Sequence, residues 1–170
     1  FRRPVYPARD VSVPGVPSFR MSYHFKPDKF ISERIRQGSL WEPFETHLVL
    51  SLLKPGSVFY DIGANIGWYT IIASLLVGDS GNVVACEPDR ENFQILKENI
   101  AQNRLGNVAA IRCAISDRPG WGRLYKSKDN LGDHRLDTSA TKRRSNRTRT
   151  ITLLDLLDRG HPPPDVLKID

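Results

Sequence analysis

An aspartate, two glycines and an asparagine stand close together in residues 58–70, VFYDIGANIGWYT. Asp61 follows a short run of apolar and aromatic residues, and Gly63 and Gly67 enclose Asn65. Glycine permits a tight backbone path and the close approach of a ligand. A carboxylate in front of such a turn can hold a cationic group. The stretch therefore predicts a ligand-binding turn between a buried strand and a helix.

The spacing of these glycines differs from that of a dinucleotide-binding turn. That turn has the pattern G-x-G-x-x-G, in which the middle glycine lets the backbone reach a pyrophosphate. Here Gly63 and Gly67 are separated by three residues, and Asp61 would repel a pyrophosphate but attract an amino group. S-adenosylmethionine carries an amino group together with a ribose and a sulfonium. The pattern favours this cofactor over a nicotinamide dinucleotide.

A second carboxylate follows the next apolar run. Residues 82–86, NVVAC, are typical of a buried strand, and Glu87 comes directly after them. Ligands of open parallel sheets bind outside the carboxyl ends of the strands. A carboxylate can accept two hydrogen bonds at once, so Glu87 is placed to hold the two hydroxyls of a ribose.

The elements that must position these residues alternate along the chain. Apolar runs predict strands at 57–62, 82–86, 108–115 and 165–169, and a short extra strand at 122–126. Helical spacing and caps predict helices at 28–37, from Pro43, at 68–77, after Asp89, and after a capping box formed by Thr152 and Asp155. A polar loop is expected over residues 129–147. Strands separated by helices predict an α/β fold, with a parallel sheet and helices on both faces.

The two ends of the chain differ from this regular middle part. Residues 1–37 form a proline-rich arm and a short helix, and five prolines exclude a long helix before residue 28. We expect an extended arm on the surface of the domain, or an adapter to a further segment. Residues 38–170 form the cofactor-binding domain. Its fourth strand would leave an apolar edge, so we expect a sheet truncated after that strand.

Composition narrows the class of protein and its partners. The 170 residues suit one domain, and no apolar run approaches the length of a membrane span, so we expect a cytoplasmic protein without a membrane partner. The formal net charge is +6, and much of it lies in residues 142–149, KRRSNRTR. This run is either a solvated loop or a site that attracts an anionic substrate. Nucleic acid is a minor option because no aromatic residues interleave with the run. Cys86 and Cys113 are interpreted as buried apolar residues in a reducing compartment.

Taken together, these motifs carry a family resemblance. The chain resembles the FkbM-type family of class I S-adenosylmethionine-dependent methyltransferases in WEPFETHLVLSLLKPGSVFYDIGANIGWYT, VVACEPDRENFQILKENIAQN, CAISD, DNLGDHRL, TITLLDLL and VLKID. The resemblance covers about residues 38–170. It implies a Rossmann-like class I methyltransferase fold. In that family the last motif continues into further strands, which are absent from the 170 residues.

The resemblance also implies which residues contact the cofactor. For the methionine part these are Asp61, Gly63, Asn65 and Gly67; for the ribose, Glu87, Pro88 and Asp89; for the adenine, Ala114, Ile115 and Ser116; and at the mouth of the site, Glu42. Asp61 would lie close to the amino group. The alternative for Glu42 is an acid that interacts with the dipole of a helix N-terminus.

Three further residues are candidates for the chemical step. Methyl transfer from a sulfonium is an in-line displacement in which the protein mainly positions donor and acceptor, and a hydroxyl acceptor also benefits from a base. His134 is the first candidate base, and its alternative is a structural histidine in a polar loop. Asp170, at the end of the fourth strand, would face the methyl group, and Lys168 is nearby. Strand alternation puts both on one face, so one of them can be structural. No ligand spacing predicts a metal site.

The sequence favours a methyltransferase that methylates a hydroxyl oxygen of a small molecule or a saccharide. That acceptor class follows from the resemblance alone, and an anionic acceptor agrees with the net charge. Two alternatives remain open: a nicotinamide-dependent oxidoreductase, and a non-catalytic methyltransferase-fold domain that binds an anionic partner. The presence of both Asp61 and Glu87 argues against the non-catalytic alternative. The oligomeric state has no signal in the sequence.

Overall fold

The computed structural model describes residues 5–25, 30–125 and 145–170. In chain order, the elements of this part are β1 (Ala8–Val11), β2 (Phe19–Ser22), α1 (Ile31–Gln37), α2 (Pro43–Leu52), β3 (Val58–Ile62), α3 (Trp68–Val77), β4 (Asn82–Cys86), α4 (Arg90–Gln102), β5 (Val108–Ile111), β6 (Ala114–Ile115), β7 (Gly120–Tyr125), β8 (Ser145–Ile151), α5 (Leu153–Asp158) and β9 (Val166–Ile169). No helix among these residues is long and apolar enough to span a membrane.

A four-stranded parallel sheet in the order β5-β4-β3-β9 is the centre of the fold. Phe59 and Val83 point to one face, where they share a core with Ile72 of α3 and Ile95 of α4. The opposite face packs against Leu156 of α5. The chain runs outward from β3 to β5 and then returns to β9 on the other side of β3. Strand order therefore reverses between β3 and β9, and such a switch point is where ligands bind in these sheets.

A second sheet, in the order β6-β8-β7, stands beside the first and corrects two expectations. The predicted strand at 108–115 is divided, because the chain turns at Cys113, whose N–H donates to the carbonyl of Ile111 at 3.1 Å. Residues 145–151 form β8, although the first of them were expected in a polar loop. Their burial alternates, with Thr148 and Thr150 inward and arginines outward. A strand that buries threonines lacks the apolar alternation by which strands are recognised.

The N-terminal segment forms an antiparallel hairpin, β1-β2, that belongs to the main core. Phe19 and Met21 are buried, and the ring of Phe19 meets that of Trp68 edge-on at 6.1 Å between centroids. The side-chain amide oxygen of Asn99 in α4 accepts from the N–H of Ser22 at 2.6 Å. These contacts correct the expectation of an extended arm on the surface. The boundary between residues 37 and 38 stays a prediction.

Helix ends follow the predicted capping residues. Gly38 ends α1 with a left-handed backbone, and Pro43 is the first residue of α2. The carboxylate of Asp89 accepts from the N–H groups of Glu91 and Asn92 at the start of α4. Thr152 and Asp155 form the reciprocal capping box of α5. Caps of this kind satisfy backbone donors that the helix itself leaves without partners.

Candidate cofactor site

The two acidic residues singled out by the sequence lie at neighbouring strand ends of the central sheet. Asp61 is opposite Ala85 in the pairing of β3 with β4, and Glu87 follows the last residue of β4. Asp61 is fully buried and Glu87 is 4% exposed. Buried carboxylates need partners, because burial penalises the charged form. The site can therefore be followed through the groups that each carboxylate contacts.

The turn after β3 is fastened to the end of β4 through backbone groups. The N–H groups of Gly63 and Ala64 both donate to the carbonyl of Cys86, at 2.9 and 3.0 Å. The N–H of Asn65 donates to Oε2 of Glu87 at 2.7 Å. Asn65 has φ = 52°, a left-handed conformation that asparagine tolerates better than most residues. The turn thereby places Asp61 and Glu87 on two sides of one short loop.

Gly67 ends the turn where no larger residue fits. Its φ is 97°, and a Cβ atom at this position would lie 2.6 Å from Cδ1 of Leu96 in α4. Gly63 has φ = 79°, and its Cβ would lie 3.1 Å from Cβ of Asp170. Both glycines are therefore required by backbone conformation and by close neighbours. The turn packs between α4 and the end of β9.

Glu87 combines a structural function with free hydrogen-bonding capacity. Its Oε2 accepts from Asn65 and its Oε1 accepts from the N–H of Asp89 at 2.8 Å. The side chain of Asn92 also hydrogen-bonds to Glu87, and the two carboxylate oxygens together have about four lone-pair sites, so Glu87 can still accept a further donor. Burial raises the pKa of Glu87 to about 7, and the backbone hydrogen bonds oppose this rise.

Asp61 has one oxygen satisfied and one without a hydrogen bond. Its Oδ2 accepts from the hydroxyl of Thr70 at 2.6 Å. Its Oδ1 is buried and accepts no hydrogen bond from the described residues, and Nζ of Lys168 lies 3.8 Å away. Burial raises the pKa of Asp61, while the positive charge of Lys168 lowers it. An ammonium group would supply the missing donor, so this oxygen fits the amino end of S-adenosylmethionine.

Lys168 connects Asp61 to the end of β9 and to a tyrosine of α3. Its Nζ lies 2.6 Å from Oδ2 of Asp170 and 4.9 Å from the centre of the Tyr69 ring. Lys168 and Asp170 thus share one face, as strand alternation predicts. The hydroxyl of Tyr69 donates to Oε2 of Glu42 at 2.8 Å, and burial raises the pKa of Tyr69. Five residues around the switch point therefore form one connected polar cluster: Glu42, Asp61, Tyr69, Lys168 and Asp170.

The side chain of Glu42 does not cap the helix that it precedes. Glu42 is the N-cap residue of α2, with φ = 40°, and its side chain caps no N–H of that helix. Its carboxylate instead points to Tyr69. This geometry brings Glu42 to the cluster of Lys168 and Asp61. A contact between Glu42 and the cofactor stays a prediction.

The residues expected near the adenine lie on the second sheet, at the same end as Glu87. Ala114 is buried and lies opposite Thr150 of β8, and the N–H of Ser116 donates to the carbonyl of Ile151 at 2.9 Å. The hydroxyl of Thr148 donates to the carbonyl of Pro88 at 3.5 Å. The second sheet thus holds Ala114–Ser116 beside the residue that follows Glu87. The predicted contact of Ala114, Ile115 and Ser116 with adenine is compatible with this arrangement and stays a prediction.

His134 lies outside the described residues, so the structure does not relate it to the site. Two residues that the sequence analysis did not single out belong to the site. Thr70 binds Asp61, and Tyr69 contacts both Glu42 and Lys168. Both belong to the stretch 58–70, where they count as part of an apolar helix. Among the described residues, no group of three or more His, Cys, Asp or Glu could hold a metal ion.

Comparison with known proteins identifies the family of the chain. The model of the methyltransferase FkbM domain family matches residues 61–170. The hexuronic acid methyltransferase AglP of Haloferax volcanii is 30% identical over 125 residues, which are 72% of this chain and 48% of that protein. The 31-O-demethyl-FK506 methyltransferase FkbM of Streptomyces tacrolimicus is 36% identical over 92 residues, which are 53% of this chain and 35% of that protein.

A solved structure of an S-adenosylmethionine-dependent methyltransferase from Aquifex aeolicus aligns with a TM-score of 0.41 and 24% identity, over 56% of this chain and 52% of that chain. The chain spans 48% of the length of AglP and 35% of the length of the Streptomyces tacrolimicus protein. The family match covers more than half of this chain, from Asp61 of the turn to Asp170. It confirms the predicted family and S-adenosylmethionine as its cofactor, and the central sheet confirms the α/β fold class. The chain belongs to the FkbM methyltransferase domain family.

Proposed function

We propose that this chain is the cofactor-binding part of an enzyme that transfers a methyl group to a hydroxyl oxygen of a small molecule or a saccharide. The observation that carries the proposal is the buried Oδ1 of Asp61, which accepts no hydrogen bond from the described residues. It lies at the switch point of a parallel sheet, next to a glycine turn and one strand from Glu87. An acid, a turn and a second acid in this order suit an amino acid joined to a nucleoside.

Asp61 and Glu87 would hold two different parts of the cofactor, its amino group and its ribose. S-adenosylmethionine supplies an electrophilic methyl group and its own leaving group, a neutral thioether. Asp61 binds the ammonium group, and Glu87 accepts hydrogen bonds from the ribose hydroxyls. Ala114–Ser116 flank the adenine, and Gly63 with Gly67 lets the backbone approach the methionine part. The protein thereby fixes the methyl group at a defined place in front of the acceptor.

The end of β9 supplies the groups that would face the acceptor. The side chain of Asp170 is 61% exposed, and its Oδ2 lies 2.6 Å from Nζ of Lys168. Asp170 is placed to accept the proton of the acceptor hydroxyl, while Lys168 orients its carboxylate. His134 is the second candidate for this base. Either assignment makes the general base separate from the two acids that hold the cofactor.

The acceptor class is supported by relatives and by charge. The two named relatives are a hexuronic acid methyltransferase and a 31-O-demethyl-FK506 methyltransferase. The formal net charge of +6 attracts anionic compounds, so an acidic saccharide is favoured over a neutral one. A nucleic-acid acceptor is the second option, because the 23S rRNA (uracil(1939)-C(5))-methyltransferase RlmD of Acinetobacter baylyi is 33% identical to this chain over 98 residues. An acceptor with both a hydroxyl and a carboxylate or phosphate group suits these facts.

Methyl transfer itself tests the proposal. The chain is incubated with S-adenosylmethionine that carries a tritiated methyl group and with a panel of neutral and acidic sugars and polyketide alcohols. We expect label in a hydroxyl-bearing acceptor, equimolar S-adenosylhomocysteine, and loss of both in Asp61→Asn. Failure to bind S-adenosylhomocysteine would refute the proposal. Cofactor-independent binding of an anionic partner would then favour the non-catalytic alternative.

A further inference from the structure

The outward face of the β7-β8 pair carries most of the described charge of the second sheet. Strand alternation places Trp121 and Arg123 of β7 on this face, together with Arg147 and Arg149 of β8. All four side chains are exposed. We call these four residues the arginine face. Arg147 and Arg149 belong to the basic run of residues 142–149 in the sequence, and the cofactor site does not use them.

The inward face of the same strand pair fixes its position relative to the cofactor site. Leu124, Thr148 and Thr150 are buried there. The hydroxyl of Thr148 contacts the carbonyl of Pro88, which directly follows Glu87. The arginine face is therefore the outer surface of a strand pair whose inner face contacts the residue that follows Glu87. A ligand on this face would lie outside the cofactor site but adjacent to it.

Three arginines and one exposed tryptophan are concentrated on the arginine face. Trp121 is 64% exposed, and the guanidinium of Arg147 lies 4.4 Å from the centre of its ring. Arg123 stands directly opposite Arg147 in the strand pairing, and like charges in such pairs are destabilising. In the described part of the chain, none of the three arginines forms an ion pair with a carboxylate. An external anion would relieve this repulsion.

We infer that the arginine face is a docking surface for a saccharide that carries a carboxylate or a phosphate group. This inference rests on the proposed function, because such a saccharide would be the methyl acceptor or the chain that carries it. Guanidinium groups bind carboxylates and phosphates through paired hydrogen bonds. Trp121 adds a flat amphipathic surface on which a sugar ring can lie. Docking away from the reacting hydroxyl supplies binding energy that helps to position it.

The size of the face favours a sugar unit over a nucleic acid strand. Opposite side chains on paired strands lie about 5 Å apart, so Arg123 and Arg147 can reach one anionic group together. Single-stranded nucleic acids are held by several aromatic side chains, on which successive bases stack. The described part of this face offers Trp121 as its one exposed tryptophan. One anionic sugar matches that arrangement.

Binding of defined sugars tests the inference. Tetragalacturonic acid, glucose 6-phosphate and neutral maltotetraose are titrated calorimetrically into the full chain. We expect saturable binding of one or both acidic sugars, at least about tenfold tighter than maltotetraose, and weaker in high salt. The two acidic probes separate carboxylate from phosphate recognition. Arg123→Gln and Arg147→Gln should each weaken binding about tenfold or more.

The matched control is Arg20→Gln, which removes the same charge from the exposed position of β2 in the other hairpin. It should leave the saccharide affinity unchanged. Equal binding of acidic and neutral sugars, or equal affinity in all three variants, would overturn the inference. Binding of a short single-stranded RNA without binding of the acidic sugars would assign the face to nucleic acid instead.

Titration of the same proteins with S-adenosylhomocysteine separates the two proposals. The proposed function requires this compound to bind, and we expect Arg123→Gln and Arg147→Gln to bind it as the unaltered chain does. If it binds and the acidic sugars do not, the inference about the arginine face is wrong and the proposed function stands. If it does not bind, the proposed function is wrong whatever the sugars do.

Discussion

The ammonium group of Lys168 lies 3.8 Å from Oδ1 of Asp61 but 2.6 Å from Oδ2 of Asp170. Lys168 makes the shorter contact with the exposed carboxylate of Asp170. Its contact with the buried Oδ1 of Asp61 is a longer ionic contact and not a hydrogen bond. Lys168 thus favours the ionised form of Asp61, but it donates no hydrogen bond to Oδ1. The cofactor's own ammonium group would complete this arrangement, which is why the pair is central to the account.

Lys168→Met should shift the pH dependence of cofactor binding. Burial raises the pKa of Asp61 and Lys168 lowers it, so removal of the lysine raises this pKa further. Asp61 must be ionised to hold an ammonium group, so we expect the binding of S-adenosylhomocysteine to need a higher pH in the variant. Calorimetric titration across the neutral range measures this. Lys97→Met, on the exposed side of α4, serves as the control, and an unchanged pH midpoint in Lys168→Met would contradict the expectation.

Glu87 should make the ligand-free protein less stable as the pH rises. Burial raises its pKa to about 7. A folded-state pKa above the unfolded value of about 4.3 means that this contribution to stability is complete below about pH 4.3 and is lost as the pH rises through about 7. The loss is on the order of 3 kcal/mol in the free energy of unfolding. Urea denaturation at about pH 5 and about pH 8 measures the slope.

In Glu87→Gln the dependence of the unfolding free energy on pH should become smaller. Asn65 and Asp89 donate to different oxygens of Glu87, and glutamine replaces one of these oxygens by an NH2 group. We therefore expect the variant to be less stable at every pH. Glu45→Gln removes an exposed carboxylate and should keep the slope of the unaltered protein. Equal slopes in all three proteins would show that Glu87 is already ionised at low pH and that burial does not govern it.

Gly67→Ala should destabilise the protein through two separable effects. The backbone at φ = 97° is strained for alanine, and the added Cβ would lie 2.6 Å from Leu96. Gly160→Ala, with φ = 86° and no atom within 4 Å, isolates the backbone effect. We expect a loss of about 1 kcal/mol for Gly160→Ala and about 2 to 4 kcal/mol for Gly67→Ala. Chemical denaturation gives both values, and equal losses would mean that α4 moves away at little cost.

Met21→Ala should destabilise the whole domain if the β1-β2 hairpin is part of its core. Met21 has no exposed surface and belongs to the same cluster as Trp68 of α3. Truncation of a buried methionine costs about 2 to 5 kcal/mol. Val5→Ala, at an 81% exposed position, should cost less than about 0.5 kcal/mol. A single unfolding transition that shifts with Met21→Ala supports one unit, whereas an unaffected main transition would show a hairpin that is stable or lost independently.

Strands and caps with strong local signals could be predicted from the sequence. β4, at Asn82–Cys86, and α3, at Trp68–Val77, were predicted with the bounds that the structure has. Parallel strands buried on both faces are nearly continuous apolar runs, and helix caps depend on residues a few positions apart. Asp61 and Glu87 were found because Asp61 lies at the end of one such strand and Glu87 directly follows another. The strand end determines the position of the residue after it.

Other parts of the site depend on contacts between residues far apart in the chain. Lys168 meets Asp61 across 107 positions of sequence only because β9 pairs with β3, and strand order has no local signature. The bond between Tyr69 and Glu42 similarly depends on how α2 packs against α3. β8 and the β1-β2 hairpin were missed because their buried faces include polar or widely spaced residues. Tertiary packing decides such segments, and local pattern does not.

The most direct test of the central claim is calorimetric titration of this chain with S-adenosylhomocysteine. We expect saturable binding of S-adenosylhomocysteine in the micromolar range. Asp61→Asn and Glu87→Gln should each weaken it at least about tenfold, or about 1.4 kcal/mol, while Asp79→Asn, at an exposed carboxylate, should not. Circular dichroism confirms that each variant is folded. A folded chain that binds no S-adenosylhomocysteine, or that binds it equally well without Asp61 and Glu87, would contradict the account.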